Sequence, residues 1–146
     1  MYDTSTEGFL ISFPYKYHGN IIPIFSKEST IQFRKIINKA VKLAKKWRNL
    51  KGEKKQRLGT ISLHIYTDQF QSRNYNDLGN HPVKIVLERT KNTTLLAIIF
   101  GTIYDEFDVP AVRNGFVFFY EKDLKTLAKV ISQKYVDKKV EEGGIK

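Results

Sequence analysis

Cysteine is absent from the 146-residue chain. This absence excludes disulfides, cysteine nucleophiles and zinc sites with cysteine ligands. Long apolar runs are also missing: the longest, residues 95–100, is far too short to span a bilayer. The first twenty residues do not combine a basic stretch with a following apolar run, so we expect no signal peptide. The sequence therefore predicts a soluble, cytoplasmic protein with no membrane partner.

Enough apolar material is present to build one core. Hydrophobic residues make up 41% of the chain and aromatic residues 13%, and a chain of this length fits one domain. No internal repeat or linker interrupts the sequence. We predict a single domain over residues 1–146, with flexible ends at 1–7 and 141–146.

Hydrophobic periodicity predicts the elements of this domain. Alternating or continuous apolar residues indicate strands near 9–13, 21–25, 60–68, 83–90, 94–104 and 115–120. Spacings of three and four indicate helices over 29–51 and 121–140. The order is therefore β-β-α-β-β-β-β-α. Short connections between strands favour an antiparallel arrangement. We predict an α+β fold: a mainly antiparallel sheet of five to six strands, with two amphipathic helices packed on one face.

The net charge is concentrated in one segment, residues 34–57. This segment has eleven basic residues and a single acid, Glu53, whereas the remaining chain has fourteen basic and fourteen acidic residues. The whole net charge of +10 thus lies in the first helix and the stretch that follows it. The eleven basic residues are Arg34, Lys35, Lys39, Lys42, Lys45, Lys46, Arg48, Lys51, Lys54, Lys55 and Arg57.

The first helix has an apolar stripe opposite its lysines. Ser29 is a suitable N-cap, with Gln32 completing a capping box, and Gly52 is placed for a left-handed C-cap. We expect the apolar stripe, which includes Trp47, to face the core. The lysines then face solvent, where a partner can reach them.

A lysine-rich face of this kind is typical of contact with phosphates. We therefore predict a nucleic-acid-binding protein, for DNA or RNA. Lysine acts as a point charge rather than a fork for base edges, so sequence discrimination should be weak. Residues 69–82 form a predicted long loop, and its Arg73 and Tyr75 are a possible second contact. The alternative is a protein-binding inhibitor or adaptor whose basic helix docks on an acidic partner.

Catalytic chemistry has weaker support. Asp105, Glu106 and Asp108 form an acidic cluster, and a metal-dependent nuclease using them is a third hypothesis. Their spacing matches no metal motif, so we expect a solvated loop and assign no metal or cofactor. His18, His64 and His81 are scattered, which favours ordinary surface histidines over an acid–base pair. We assign no catalytic residue and expect a binding protein rather than an enzyme.

Aromatic residues offer one further possibility. Several occupy predicted loops or the polar side of predicted strands, namely Tyr15, Tyr17, Tyr66, Tyr75, Phe107 and Phe119. Exposed rings among lysines suit the stacking of unpaired bases. For any single ring, packing in the outer core is the better interpretation.

Overall fold

The computed structural model describes residues 2–3, 8–10, 13–15, 19–68, 75–91 and 93–132. Three short strands come first, which are β1 (Tyr2–Asp3), β2 (Gly8–Leu10) and β3 (Phe13–Tyr15). The longer elements follow as β4 (Gly19–Phe25), α1 (Lys27–Trp47), β5 (Lys54–Asp68), β6 (Tyr75–Thr90), β7 (Thr93–Tyr104), β8 (Pro110–Tyr120) and α2 (Glu121–Val130). From the strand before α1 onward the order is the predicted one, and the α+β class is confirmed. Before it, the structure has three short strands where one strand near 9–13 was predicted.

The five long strands form one curled antiparallel sheet. They pair in chain order, β4-β5-β6-β7-β8, while β2 and β3 pair with β4, and β1 pairs with β2. α1 packs against β4, β5, β6 and β7, and α2 packs against β7, β8 and α1. Both helices therefore cover the same face of the sheet, as predicted. We call this the inner face and the opposite one the outer face.

Alternate strand residues and one side of α1 build the core between the layers. The strands contribute Ile61, Leu63, Ile65, Val83, Ile85, Leu87, Leu96, Ile98 and Phe100, and α1 contributes Phe33, Ile37, Ala40, Ala44 and Trp47. Two fully buried alanines bring the helix backbone close to the sheet. Gly59 on β5 allows the same approach, since an added Cβ would lie 2.7 Å from Ile36 Cδ1.

The boundaries of α1 differ from the prediction at both ends. Ser26, not Ser29, is the N-cap: its side chain accepts a hydrogen bond from the Ser29 backbone N–H at 3.1 Å. Ser29 is buried within the first turn. The helix ends at Trp47 instead of residue 51, and Gly52 takes a φ of +99° in the connection beyond it. The left-handed glycine predicted from the sequence is present, but it turns the chain into β5 instead of closing the helix.

Three strands begin earlier than the apolar pattern indicated. β5 starts at Lys54 instead of residue 60, β6 at Tyr75 instead of 83, and β8 at Pro110 instead of 115. The added residues are mostly polar or charged, so they carry little hydrophobic alternation. Backbone pairing with the neighbouring strand holds them in the sheet. Polar sequence at a strand end is therefore a poor sign of a loop when a long neighbour is available.

Some predictions fall outside the described residues. These include the flexible ends, apart from β1 at residues 2–3, and residues 133–140 of the predicted second helix. In the described residues that helix ends at Val130, with Ile131 as its C-cap, instead of continuing as predicted. Residues 69–74 of the predicted long loop are also outside the described ranges. Neither of the two described helices is long and apolar enough to cross a membrane.

Candidate nucleic-acid interface

Four lysines form a row along the solvent side of α1. Lys35, Lys39, Lys42 and Lys46 are spaced by four, three and four residues, and all four are exposed. At 100° per residue they fall within an arc of about 60°, opposite the buried side of the helix. A rise of 1.5 Å per residue makes the row roughly 16 Å long. Within the described part of the chain, these lysines form no ion pair with an acidic side chain. We call them the α1 lysine row.

The two arginines of the basic helix have structural partners. The half-buried Arg34 donates a hydrogen bond from Nε to the carbonyl oxygen of Ile131, at the end of α2. Arg48 donates from Nε to Glu121 Oε1 at 2.5 Å, at the start of α2. An early residue of α1 thus meets the end of α2, and a late residue meets its beginning. The two helices therefore run antiparallel, side by side.

This arrangement adds three lysines that lie outside the predicted basic segment 34–57. Lys122, Lys125 and Lys129 are exposed on α2, and their i, i+3, i+7 spacing places them within about 60° of one another. They face away from the buried Leu124. Because packed helices lie about 8–10 Å apart, this second row, the α2 lysine row, extends the basic surface sideways. Its helical spacing was visible in the sequence, but the local acids Glu121 and Asp123 obscured it.

The rest of the predicted basic segment is divided between the two faces of the sheet. Lys54 pairs in register with the buried Arg89, and its Nζ lies 5.3 Å from the centre of the Trp47 ring on the inner side. Lys55 and Arg57 pair with Glu88 and Val86, which belong to the outer face. Both are exposed there, on the side opposite the lysine rows. A segment that is continuous in sequence is therefore not one continuous surface.

The remaining predicted contacts have simpler placements. Lys45 is exposed on the flank of α1, and Lys51 is exposed in the connection to β5. Tyr75 is the first residue of β6 rather than part of a loop, and its side chain is not described. Arg73 lies outside the described residues, so the structure does not place this second predicted contact.

A buried arginine supports the end of α1 and was not anticipated. Arg89 is 5% exposed. It donates from Nε to the Leu50 carbonyl at 3.0 Å, from Nη2 to the Arg48 carbonyl at 3.0 Å and from Nη1 to Thr94 Oγ1 at 2.8 Å. A cation at this position complements the negative end of the helix dipole. In the sequence, Arg89 follows Val83, Ile85 and Leu87 at a spacing of two, which places it on the same inner face of β6.

Two of the histidines lie on opposite faces of the sheet, which prevents them from acting as a pair. His64 is on the outer face, where its Nε2 lies 2.5 Å from Asp77 Oδ1 and its ring stacks on Tyr66. His81 is in register with the inner-face residue Leu63, and its Nε2 lies 2.6 Å from the Leu78 carbonyl oxygen. His18 is outside the described residues. The hypothesis of a histidine acid–base pair therefore has no support from His64 and His81.

Asp77 is held by several donors. Its Oδ1 accepts a hydrogen bond from the Gly79 backbone N–H at 2.9 Å. That bond is the largest cause of a lowered pKa for the Asp77 carboxyl, and the contact with His64 lowers the pKa further. The carboxylate is exposed, so the contact between Asp77 and His64 links β6 to β5 at the protein surface.

The acidic turn uses its first carboxylate to hold its own backbone. Asp105 Oδ1 accepts hydrogen bonds from the N–H groups of Phe107 at 2.8 Å and Val109 at 3.0 Å. Glu106, Phe107 and Asp108 are exposed in the same turn. The described residues contain no group of three or more His, Asp or Glu side chains arranged to hold a metal ion.

Comparison with known proteins does not assign a function. No family model, curated protein or solved structure matches the chain. Among the described residues, the seven lysines of the two rows form no ion pair with an acidic side chain.

Proposed function

We propose that the protein binds nucleic acid through the phosphate backbone, using the α1 and α2 lysine rows. The observation that supports this most strongly is the α1 lysine row, four exposed cations on one line of a helix with no acidic partner among the described residues. Such a row releases condensed counterions when it neutralises phosphates, which gives affinity without a base-specific contact. The antiparallel α2 lysine row widens the same surface.

The type of side chain indicates the type of recognition. Sequence readout commonly uses arginine forks on guanine edges. Arg34 of α1 and Arg48, the residue directly after it, are bonded to Ile131 and Glu121 at the two ends of α2, whereas the solvent side of α1 presents lysines. We therefore infer backbone contacts with little preference for sequence, on DNA or RNA.

The proposal is tested with two pairs of substitutions that each remove two positive charges. Lys39→Gln with Lys42→Gln changes the α1 lysine row, and Lys55→Gln with Arg57→Gln changes the outer face. Fluorescence anisotropy would measure binding to labelled single-stranded and duplex DNA and RNA over a range of salt concentrations. The first pair should weaken binding, and on duplex DNA it should reduce the magnitude of the slope of log K against log salt by about 2, since each lost phosphate contact removes about 0.9. The second pair should leave that slope unchanged.

Other outcomes would count against this assignment. Equal losses from both pairs would mean that net charge, and not the helical surface, causes binding. Absence of binding by the unmodified protein at low salt would reject the nucleic-acid proposal. The lysine rows would then be expected to meet an acidic protein, which a pull-down from nuclease-treated lysate would seek.

A further inference from the structure

An apolar surface covers part of the outer face, on the side of the sheet opposite the lysine rows. It consists of Leu95, Ala97 and Ile99 on β7 and Phe116, Phe118 and Tyr120 on β8, and we call it the outer apolar patch. Register pairs Ile99 with Phe116, Ala97 with Phe118 and Leu95 with Tyr120. The patch borders a groove of about 490 Å³. Gly101, at a φ of +73°, also lines the groove, and an added Cβ there would meet no atom within 4 Å.

The aromatic rings of the patch are unusually exposed. The exposed fractions are 59% for Phe116, 46% for Phe118 and 43% for Tyr120. The three rings form a ladder, with centroids 6.2 Å and 5.5 Å apart. Taking about 200 Å² for a whole aromatic side chain, they expose roughly 300 Å². That is more than a third of the roughly 800 Å² that each partner buries in a typical stable interface, before the half-buried β7 side chains are added.

The exposed rings lie at one side of the sheet. Among the described strands, β8 pairs only with β7 and ends the sheet. Its exposed rings alternate near the end of the strand, on the outer side. Packing of a second sheet on the outer face would cover these rings.

The charges beside the patch indicate what covers it. Lys84 and Glu88 lie on the outer side of β6, two residues before and after Val86 and about 13 Å apart along the strand. Neither forms an ion pair with another described residue, although Lys55 is the register neighbour of Glu88. A twofold axis near Val86 would bring Lys84 of one copy to Glu88 of the other. Such self-complementarity is what an isologous dimer interface requires.

We propose that the outer apolar patch is a homodimer interface, in which two sheets pack outer face to outer face about a twofold axis. A ring from each copy fills the groove of the other. The inference does not depend on the proposed nucleic-acid binding, since it uses the opposite face.

The first test is the oligomeric state by sedimentation velocity over a wide range of concentrations. The unmodified protein should be a dimer at tens of micromolar. Phe118→Glu should give a monomer with an unchanged circular dichroism spectrum. Ile31→Glu is the matched control, because Ile31 is 44% exposed on α1, away from the patch; this variant should remain a dimer. A monomeric unmodified protein, or equal behaviour of the two variants, would overturn the proposal.

Exchange of the two charges tests the twofold geometry. Lys84→Glu or Glu88→Lys alone should raise the dimer dissociation constant at least several-fold. The double variant Lys84→Glu/Glu88→Lys should restore it, because each charge again meets its opposite in the second copy. If the double variant is as weak as the two single variants, the proposed packing is wrong. Lys39→Gln/Lys42→Gln should leave dimerisation unchanged, so failure of the dimer and failure of nucleic-acid binding are separable.

Discussion

The Nη2 group of Arg89 lies 3.0 Å from the carbonyl oxygen of Arg48 and donates a hydrogen bond to it. A buried cation on β6 thus donates to a backbone carbonyl at the carboxyl end of the helix that bears the α1 lysine row. The same guanidinium reaches the Leu50 carbonyl, so the chain after α1 is fastened to the sheet over three residues. Placement of the basic helix therefore depends on a residue outside the basic segment.

Replacement of Arg89 should lower the stability of the folded protein. Arg89→Met keeps most of the side-chain volume but leaves the Arg48 and Leu50 carbonyls without a donor. We expect the free energy of unfolding to fall by about 3 kcal/mol, measured by urea denaturation followed through the fluorescence of Trp47. Arg57→Met is the control: it removes a charge from an exposed position and should change the stability by less than about 0.5 kcal/mol. Similar values for the two variants would show that the Arg89 bonds add little.

Gly115 should not tolerate a methyl group. A Cβ added there would lie 2.5 Å from Val112 Cγ1, and Val112 is fully buried and β-branched, so it has little freedom to move. We expect Gly115→Ala to lose about 1–3 kcal/mol of stability. Gly59→Ala should cost less, because the atom it approaches, Ile36 Cδ1, is the end of a flexible side chain. Thermal unfolding of both variants gives the comparison.

A double variant identifies the cause of the Gly115 effect. In a Val112→Ala background the closest atom is gone and only Ile21 Cδ1, at 3.3 Å, remains tight against the added Cβ, so Gly115→Ala should then cost much less relative to Val112→Ala alone. A loss as large as in the unmodified protein would mean that backbone conformation, and not the contact with Val112, disfavours alanine at this position.

The Asp77 carboxyl should titrate below its usual pKa. The Gly79 N–H and the contact with His64 favour the ionised form in the folded protein. The resulting stabilisation is present above the pKa of the unfolded chain, about 3.9, and is lost as the pH falls through the lower folded pKa. A side-chain carboxyl NMR titration measures this directly. His64→Gln should raise the Asp77 pKa only in part, since the Gly79 bond remains; an unchanged pKa would show that His64 contributes nothing.

The carboxylate of Asp105 should matter for the turn and not for metal. Asp105→Ala removes the acceptor for the Phe107 and Val109 N–H groups, and we expect a loss of about 1 kcal/mol. Asp105→Asn keeps a carbonyl acceptor and should recover most of it. Addition of Mg²⁺ or Mn²⁺ should leave the midpoint of thermal unfolding unchanged in the unmodified protein and in both variants. A metal-dependent midpoint in the unmodified protein that disappears in Asp105→Asn would revive the nuclease hypothesis.

Much of the fold could be predicted from periodicity alone. The apolar stripe of α1 and the alternation in β5 and β6 placed the core residues correctly, because burial on one face leaves a period of 3.6 or 2 in the sequence. Strand ends were harder, since backbone pairing continued through polar residues such as Lys54 and Asp77. The N-cap was misplaced because Ser29 fits a capping box with Gln32, whereas in the structure Ser29 is buried in the first turn and Ser26 caps the helix.

The candidate site could be predicted only in part. Charge counting found the lysines of α1 but treated residues 34–57 as one surface. Strand pairing separates Lys55 and Arg57 from the helix, and no local pattern reports which face a strand residue will take once a bulge intervenes near Leu58. The structural roles of Arg34 and Arg48 depend on α2, which is more than seventy residues away in the chain. Contacts between residues so far apart in the chain produce no periodic pattern in the sequence.

The bonds from Arg34 to Ile131 and from Arg48 to Glu121 join the two helices near both ends of α2. These bonds hold the two lysine rows at a fixed spacing. In the proposed binding, adjustment would come from the long lysine side chains and from the nucleic acid itself. A flexible single strand can adapt to this spacing, whereas a stiff duplex must already match it. Amide hydrogen exchange in both helices should accordingly be almost the same before and after binding.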